Sequence, residues 1–214
     1  MKELDLRKYL DKYRNTKVDF FRFPGNYGDS LIWHGTKKLF SSLNISEHYV
    51  DLSSQKYNEV LFIDGGGNFV DYYSDVRDFL GGKPDLYNEI IILPHTIFGE
   101  RQIAILNNIS SNLAIFCREK VSAKFLEEGL THGEVYIWHD CAFYNEFSPT
   151  PSGAGILNAF RSDKESVWHA LPEANNDLSY NGYATKPLEE LVDTLQEYEQ
   201  INTDRLHIAI GATL

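Results

Sequence analysis

Along the chain, short apolar runs alternate with turns and with stretches of helical period. The runs 18–23 (VDFFRF), 47–52 (EHYVDL), 59–65 (EVLFIDG), 89–96 (EIIILPHT), 113–118 (LAIFCR) and 134–143 (EVYIWHDCAF) predict strands. "VLFI" and "IIIL" are continuous rather than alternating, the pattern of strands covered on both faces of a parallel sheet. Residues 29–43, 100–109 and 120–129 carry helical periodicity between them, and the last ends on Gly129, suited to a helix C-terminus. The opening "MKELDLRKYLDKYRN" reads as a charged amphipathic helix. Strand–helix alternation of this kind predicts an α/β fold, a Rossmann-like doubly wound parallel sheet.

The pattern weakens at 144–155 (YNEFSPTPSGAG), which is rich in Pro, Ser and Gly and predicts a boundary. Residues 1–148 then form one Rossmann-like domain and 149–214 an incomplete C-terminal α/β unit, about half the size of a usual domain. That second unit starts with a strand and a helix start at 155–165 (GILNAFRSDKE). An irregular polar stretch follows over 168–187, then an amphipathic helix over 188–200 and another helix opening at "TDRLHIAIGATL".

Composition narrows the classes. The 214 residues are 43% hydrophobic and 24% charged, as in a soluble globular protein. No run is long and apolar enough for a membrane span, and the N-terminus lacks an apolar signal core, so a cytoplasmic protein is expected. Cys117 and Cys141 are too few for a disulfide framework or a four-cysteine zinc site and read as buried, reduced thiols. A net charge of −11 argues against a nucleic-acid partner but leaves room for a locally positive pocket that takes a small anion.

The polar residues that could carry chemistry fall at strand ends, where open α/β sheets bind ligands. Gly25-Asn26-Tyr27-Gly28-Asp29 precedes a helix: either an anion-binding turn, or a plain strand–helix turn with Asp29 as N-cap. Gly65-Gly66-Gly67-Asn68 after "LFID" is either a tight positive-φ turn or a place where backbone closely approaches a ligand. Arg118, followed by Lys120 and Ser122, can grip a phosphate or carboxylate, or else form a salt bridge to Glu119 or a neighbour. Arg161, within "RSDKE", has the same two readings. Arg205 and His207 at the start of an apolar helix are placed for an anion. His95 and His139 are acid–base candidates, whereas His34, His48, His132 and His169 have no supporting context. No metal spacing is present.

The tetrapeptide Gly28-Asp29-Ser30-Leu31 spells the nucleophile block of GDSL esterases, with Asp204 and His207 as the rest of a triad. That family's Gly-Asp-Ser follows its strand almost directly, whereas "PGNY" intervenes here. Its Gly-x-Asn-Asp block is also unmatched, because "GGGNF" lacks the aspartate. The esterase with Ser30 is therefore the third reading.

Taken together, "GNYGDSLI", "GGGN", "LPHT" (93–96), "REKVS" (118–122), "HDCAF", "RSDKE" (161–165) and "TDRLH" resemble, in order and approximate spacing, the polysaccharide pyruvyl transferase family. The resemblance runs from residue 23 to 214. It implies two Rossmann-like domains facing a cleft, as in glycosyltransferases of the B type. It also implies pyruvyl transfer from phosphoenolpyruvate, as co-substrate, to sugar hydroxyls in exopolysaccharide or cell-wall polysaccharide biosynthesis. No metal or cofactor is required, and the glycan acceptor can be lipid-linked. By that likeness Arg118, Ser122, Leu206 and His207 hold the donor, to which chemistry adds Arg161 and Arg205. Gly25, Asn26, Gly28, Asp29, Gly66, Gly67 and Asn68 line the acceptor side. His207 or His95 is the acid, and Asp29 or Asp140 the base. Relatives have a fuller second domain, so a non-catalytic glycan- or anion-binding member is the alternative, and an exposed apolar edge would favour a homo-oligomer.

Overall fold

The computed structural model describes residues 1–23, 25–82, 86–148, 153–163, 165–168, 170–179 and 188–214. The core of the predicted boundary segment and the end of the irregular polar stretch lie outside these residues. In chain order the elements are β1 (Lys2–Glu3), α1 (Leu6–Leu10), β2 (Lys17–Phe21), α2 (Tyr27–Leu43), β3 (Ser46–Val50) and β4 (Val60–Ile63). There follow β5 (Gly66–Val70), α3 (Asp75–Gly82), β6 (Glu89–Phe98), α4 (Glu100–Asn107), β7 (Asn112–Cys117), α5 (Lys120–Gly129) and β8 (Glu134–Ile137). Last come β9 (Ile156–Asn158), α6 (Leu188–Gln196), β10 (Gln200–Asn202) and α7 (Leu206–Thr213).

Residue proximity divides the chain into two units. The first comprises Met1–Phe23 and Thr36–Cys141, the second Pro24–Gly35 and Ala142–Leu214. A division along the chain at 148/149 does not anticipate that residues 24–35 group with the C-terminal part.

The first unit is an eight-stranded parallel sheet, ordered β1-β8-β7-β6-β4-β2-β3, with β5 pairing β6 off this path. The continuous apolar runs occupy its middle: Leu61, Phe62, Ile63 and Ile90 to Leu93 are fully buried. On one side, Val76, Phe79 and Leu80 of α3, Leu106 of α4 and Leu126 of α5 join the same core. The predicted α/β doubly wound sheet is therefore present. Burying one such leucine or phenylalanine contributes about 1.5–3 kcal/mol, which is why the two strands without polar alternation sit innermost.

Three local readings change. The opening segment is a two-residue strand on β8, then a short helix capped by Asp5, whose carboxylate accepts from the Lys8 N–H at 3.2 Å, then a 3₁₀ turn. Helix α3 was not expected from the pattern. The glycine run, read either as a tight turn or as a close approach to a ligand, enters strand β5 at Gly66. It continues along β6 where β4 stops: β4 pairs Ile63 with Ile92, and β5 resumes with Gly66 against His95. Opposite this gap stands Pro94, which has no N–H to give a ladder. The β6–β7 register also shifts there, between Ile92 and His95. Proline thus breaks the sheet's regularity at the level where the motif residues begin.

The second unit carries the N-terminal half of α2 and a parallel pair, β9 and β10, joined through α6. Helix α7 follows, with Ile208 and Ile210 buried.

Candidate functional site

In the first unit, the broken end of the sheet collects seven of the predicted residues: Gly66, Gly67, Asn68, His95, Arg118, Ser122 and Asp140. Arg118 leaves β7 at 14% side-chain exposure. Its Nε donates to Thr96 Oγ1 at 2.8 Å, and its Nη1 donates to Asp140 Oδ2 at 2.9 Å. The salt bridge goes to Asp140 rather than Glu119, whose carboxylate caps α5 by accepting from the Val121 and Ser122 N–H groups. Gly67 matters through its lack of a side chain, because a Cβ there would come within 2.8 Å of Arg118 Nη2. Its neighbour Gly66 opens β5 with φ at +152°, a value that favours glycine.

His95 is fully buried. Its Nδ1 lies 3.0 Å from the Asp64 carbonyl and its Nε2 3.2 Å from the Asn68 side chain. Burial first, and the Arg118 charge second, push its pKa down from the ordinary 6.5 to about 3. The ring is therefore neutral with one proton. Nδ1–H donates to the carbonyl, so Nε2 must accept, and the Asn68 amide is best oriented with its NH₂ toward it. The neutral, fully buried ring has its single proton engaged with the Asp64 carbonyl, which weighs against His95 as a general acid. Its place is to hold Asn68. Ser122 is likewise structural. Its hydroxyl accepts from the Ile97 N–H at 2.8 Å and donates to Glu119.

Both cysteines lie beside this cluster, unpaired and buried. Burial, with Glu119 and Glu127 behind it, raises the Cys117 thiol to about 12, and burial with Asp140 raises Cys141 well above its usual value. Neither is a thiolate nucleophile.

In the second unit, the turn before α2 is a capping box, and Asn26 rather than Asp29 is the N-cap. The Asn26 carbonyl accepts the first helical bond, from Ser30 N at 3.0 Å. Its side-chain oxygen accepts from the Gly28 N–H at 2.8 Å, and the Asp29 carboxylate reaches back to the Asn26 N–H at 2.8 Å. Two backbone donors that an anion would need are thereby engaged from within. Gly25 permits this fold-back, since a Cβ there would overlap Asp29. Gly28 has a further purpose: a Cβ on it would lie 2.7 Å from His207 Nδ1. The N-terminal turns of α2 and α7 thus meet, with the half-buried His207 ring set against Gly28. Leu206, the first residue of α7, is 51% exposed.

Arg205 caps no group with its own side chain but anchors the start of α7 from beneath. At 6% exposure its Nη2 donates to Asp177 Oδ2 at 2.7 Å and to Asp163 Oδ2 at 2.9 Å, and its Nε donates to Asp177 Oδ1 at 2.5 Å. Burial works against both carboxylates, yet hydrogen bonds, those from Arg205 among them, hold their pKa values below the usual range. Arg161 pairs with Glu165 at 2.5 Å and with Asp163, whose Oδ1 lies 2.9 Å from Nε and whose Oδ2 accepts from Nη2 at 3.3 Å. Like Arg118, each of these guanidiniums faces carboxylates of the chain itself. Asp177 was missed because it lies in a stretch without periodicity. So was Asn145, 2% exposed, which holds His34 at 2.6 Å and the Leu31 and Ala142 carbonyls at 2.8 Å.

The esterase geometry fails on local grounds. Ser30 is the fourth residue of α2, not a residue on a strand–helix elbow. Asp204 accepts from the Arg161 N–H at 2.7 Å and the Trp168 indole at 2.9 Å rather than orienting a histidine. Among the described residues, no group of His, Cys, Asp or Glu is arranged to hold a metal ion, and no helix is long and apolar enough to cross a membrane.

Among solved structures, the chain is similar to a functionally uncharacterised protein from Klebsiella pneumoniae, at 26% identity and a TM-score of 0.79. The likeness covers 97% of this chain and 83% of that one. No protein of curated function matches. The family model for polysaccharide pyruvyl transferases matches residues 26–214, a span that begins at the Asn26 cap and includes the Arg118 and His207 clusters. On that match, the chain belongs to the polysaccharide pyruvyl transferase family.

Proposed function

We propose that the protein transfers the pyruvyl group of phosphoenolpyruvate to two hydroxyls of a glycan, leaving a cyclic ketal and inorganic phosphate. Carbon 2 of the donor forms two bonds to sugar oxygens and loses its bond to the phosphate oxygen. The CH₂ group takes up one proton and becomes a methyl. Of the two hydroxyl protons released, one balances that uptake and the other leaves with phosphate. Such a donor is anionic at both ends, so it calls for fixed positive dipoles and a proton source.

The observation that carries this reading is His207 at the N-terminus of α7, set against Gly28, in a chain of this family. Helix N-termini favour phosphate and carboxylate oxygens, and His207 can add a proton. His207 is therefore the proposed acid, with the Leu206 N–H and Arg118 as donor ligands. Asp29 and Asp140 are the candidate bases. Gly25, Asn26, Gly28, Gly66, Gly67 and Asn68 belong to the acceptor side, and a lipid-linked acceptor would suit the same chemistry. No metal or further cofactor is invoked.

The test supplies phosphoenolpyruvate with a galactoside or an N-acetylmannosamine acceptor and reads phosphate release and the ketal mass. Arg118→Ala and His207→Ala should each lower turnover by about a hundredfold or more, as removal of a charge-stabilising donor does. Absence of phosphoenolpyruvate binding, together with an unchanged Arg118→Ala variant, overturns the reading. One observation favours the second reading, a glycan- or anion-binding member without turnover: Arg118, Arg161 and Arg205 all already face carboxylates. Binding of phosphoenolpyruvate or glycan without phosphate release would select it. Hydrolysis of p-nitrophenyl acetate that is lost in Ser30→Ala would instead point to the esterase.

A further inference from the structure

The segment LPHT enters the site through His95, and its threonine has as yet no role. Strands β6 and β7 keep one register from Glu89 against Asn112 to Ile92 against Ile115, and another where His95 faces Cys117. Three steps along β6 thus match two along β7. That is the extra residue of a bulge, a device that re-aims side chains, and Pro94 lies inside it. The Arg118 N–H donates to the His95 carbonyl at 3.2 Å and carries the second register one step further. Thr96 therefore stands opposite Arg118. Had the first register continued, His95 would face Arg118 and Thr96 would face Glu119. The bulge decides which side chain lies beside the guanidinium.

The contact itself is specific. Arg118 Nε donates to Thr96 Oγ1 at 2.8 Å, while Nη1 donates to Asp140 Oδ2 at 2.9 Å. Two anchors on different atoms of a planar fork fix both its position and its plane. Nη2 lies along Gly67, where a Cβ would come within 2.8 Å of it. A guanidinium only donates, so the Thr96 oxygen accepts and its own proton is left for another acceptor. Among the described residues no group takes that proton. Thr96 is half-buried, whereas His95 and Ile97 on either side are sealed from solvent. A hydroxyl proton without an internal acceptor, held beside a fixed cation, fits an oxygen of an anion. We propose that Thr96 is a further anion-binding residue, which orients Arg118 through Nε and gives its hydroxyl proton to a phosphate or carboxylate oxygen of the ligand. This rests on Arg118 as a donor ligand and not on turnover.

The experiment titrates phosphoenolpyruvate, inorganic phosphate and pyruvate into the whole chain by calorimetry, with thermal midpoints recorded beside them. Thr96→Val keeps the shape and branching of the side chain but removes the hydroxyl. It should weaken phosphoenolpyruvate binding about tenfold or more, whereas Thr96→Ser should stay within about threefold of wild type. Whichever simple anion loses affinity with it identifies the end of the donor that Thr96 meets. Arg118→Lys removes Nε, so Thr96→Val should cost less in that background than in the wild type. Unchanged affinity in Thr96→Val overturns the assignment. So does a loss in Thr96→Ser as large as in Thr96→Val, which would trace the effect to packing, and so does an equal loss beside Arg118→Lys. Should Thr96→Val unfold, Thr96→Ala takes its place with the same expected loss. Phosphoenolpyruvate binding that depends on Thr96 without phosphate release sinks the transferase reading and leaves Thr96 in its role. Phosphate release with an unaltered KM in Thr96→Val does the reverse.

Discussion

Glycines in this protein do their work by absence, at the scale of single atoms. Gly28 and Gly67 have no special backbone dihedral, yet a methyl group on either would strike a candidate ligand, His207 or Arg118, at 2.7 and 2.8 Å. From sequence, a glycine suggests a turn or a bound ligand, and the two readings of "GGGN" followed that rule. What occupies the space beside Gly67 is the protein's own arginine. Gly28→Ala separates function from stability here. Alanine is the better helix former by about 1 kcal/mol, so folding should change little. Displacement of His207 should weaken phosphoenolpyruvate binding by about tenfold or more. Calorimetric titration beside a urea melt reads both, and an unaltered affinity would remove His207 from the donor site.

Elements show a different balance. Apolar periodicity located α2, α4 and α5 and the strands of the central sheet to within a few residues, because burial on one face or both leaves a repeating signature. It did not supply the α2 start. Asn26 and Asp29 are each plausible caps, and only their mutual bonds show that Asn26 caps and Asp29 closes the box. Asn26→Ala should cost about 1 kcal/mol and Asp29→Ala a similar amount. Because the two bonds lock one turn, the double variant should cost less than the sum. Urea unfolding of the four proteins gives the coupling; strict additivity would mean the box is not a unit. The strand β5 was illegible for another reason: it is defined by its neighbour β6, and glycine has no strand signature of its own.

The whole molecule answers to pH through a residue that sequence could not weigh. His95 has the letters of an acid–base catalyst, but full burial takes its pKa to about 3. Above about 6.5 the histidine is neutral in both folded and unfolded chains and adds no pH dependence. As pH falls below that value, the unfolded chain binds a proton that the folded one refuses. Stability is therefore lost progressively down to about pH 3, by up to about 1.4 kcal/mol per unit. Denaturation midpoints between pH 6 and 4 should fall steeply in the wild type and less so in His95→Gln. Equal slopes would show that the ring takes up its proton without unfolding. The carboxylates of Asp163 and Asp177, held low, lose their contribution only further down, as pH drops through their lowered values.

Sequence alone determined the α/β class, the inner strands and the membership of most motif residues at strand ends. These follow from burial and backbone geometry, which act on each segment separately and so write themselves into local patterns. The chain also carried, in seven short motifs, the likeness that the family match bears out. What each polar side chain does with its charge was decided by the tertiary structure. Arg205 looks like an anion receptor until Asp163 and Asp177 are brought to it, and His95 looks like an acid until the sheet closes around it. An ion pair or a desolvated ring depends on partners tens of residues away, and no periodicity along the chain records who those partners are.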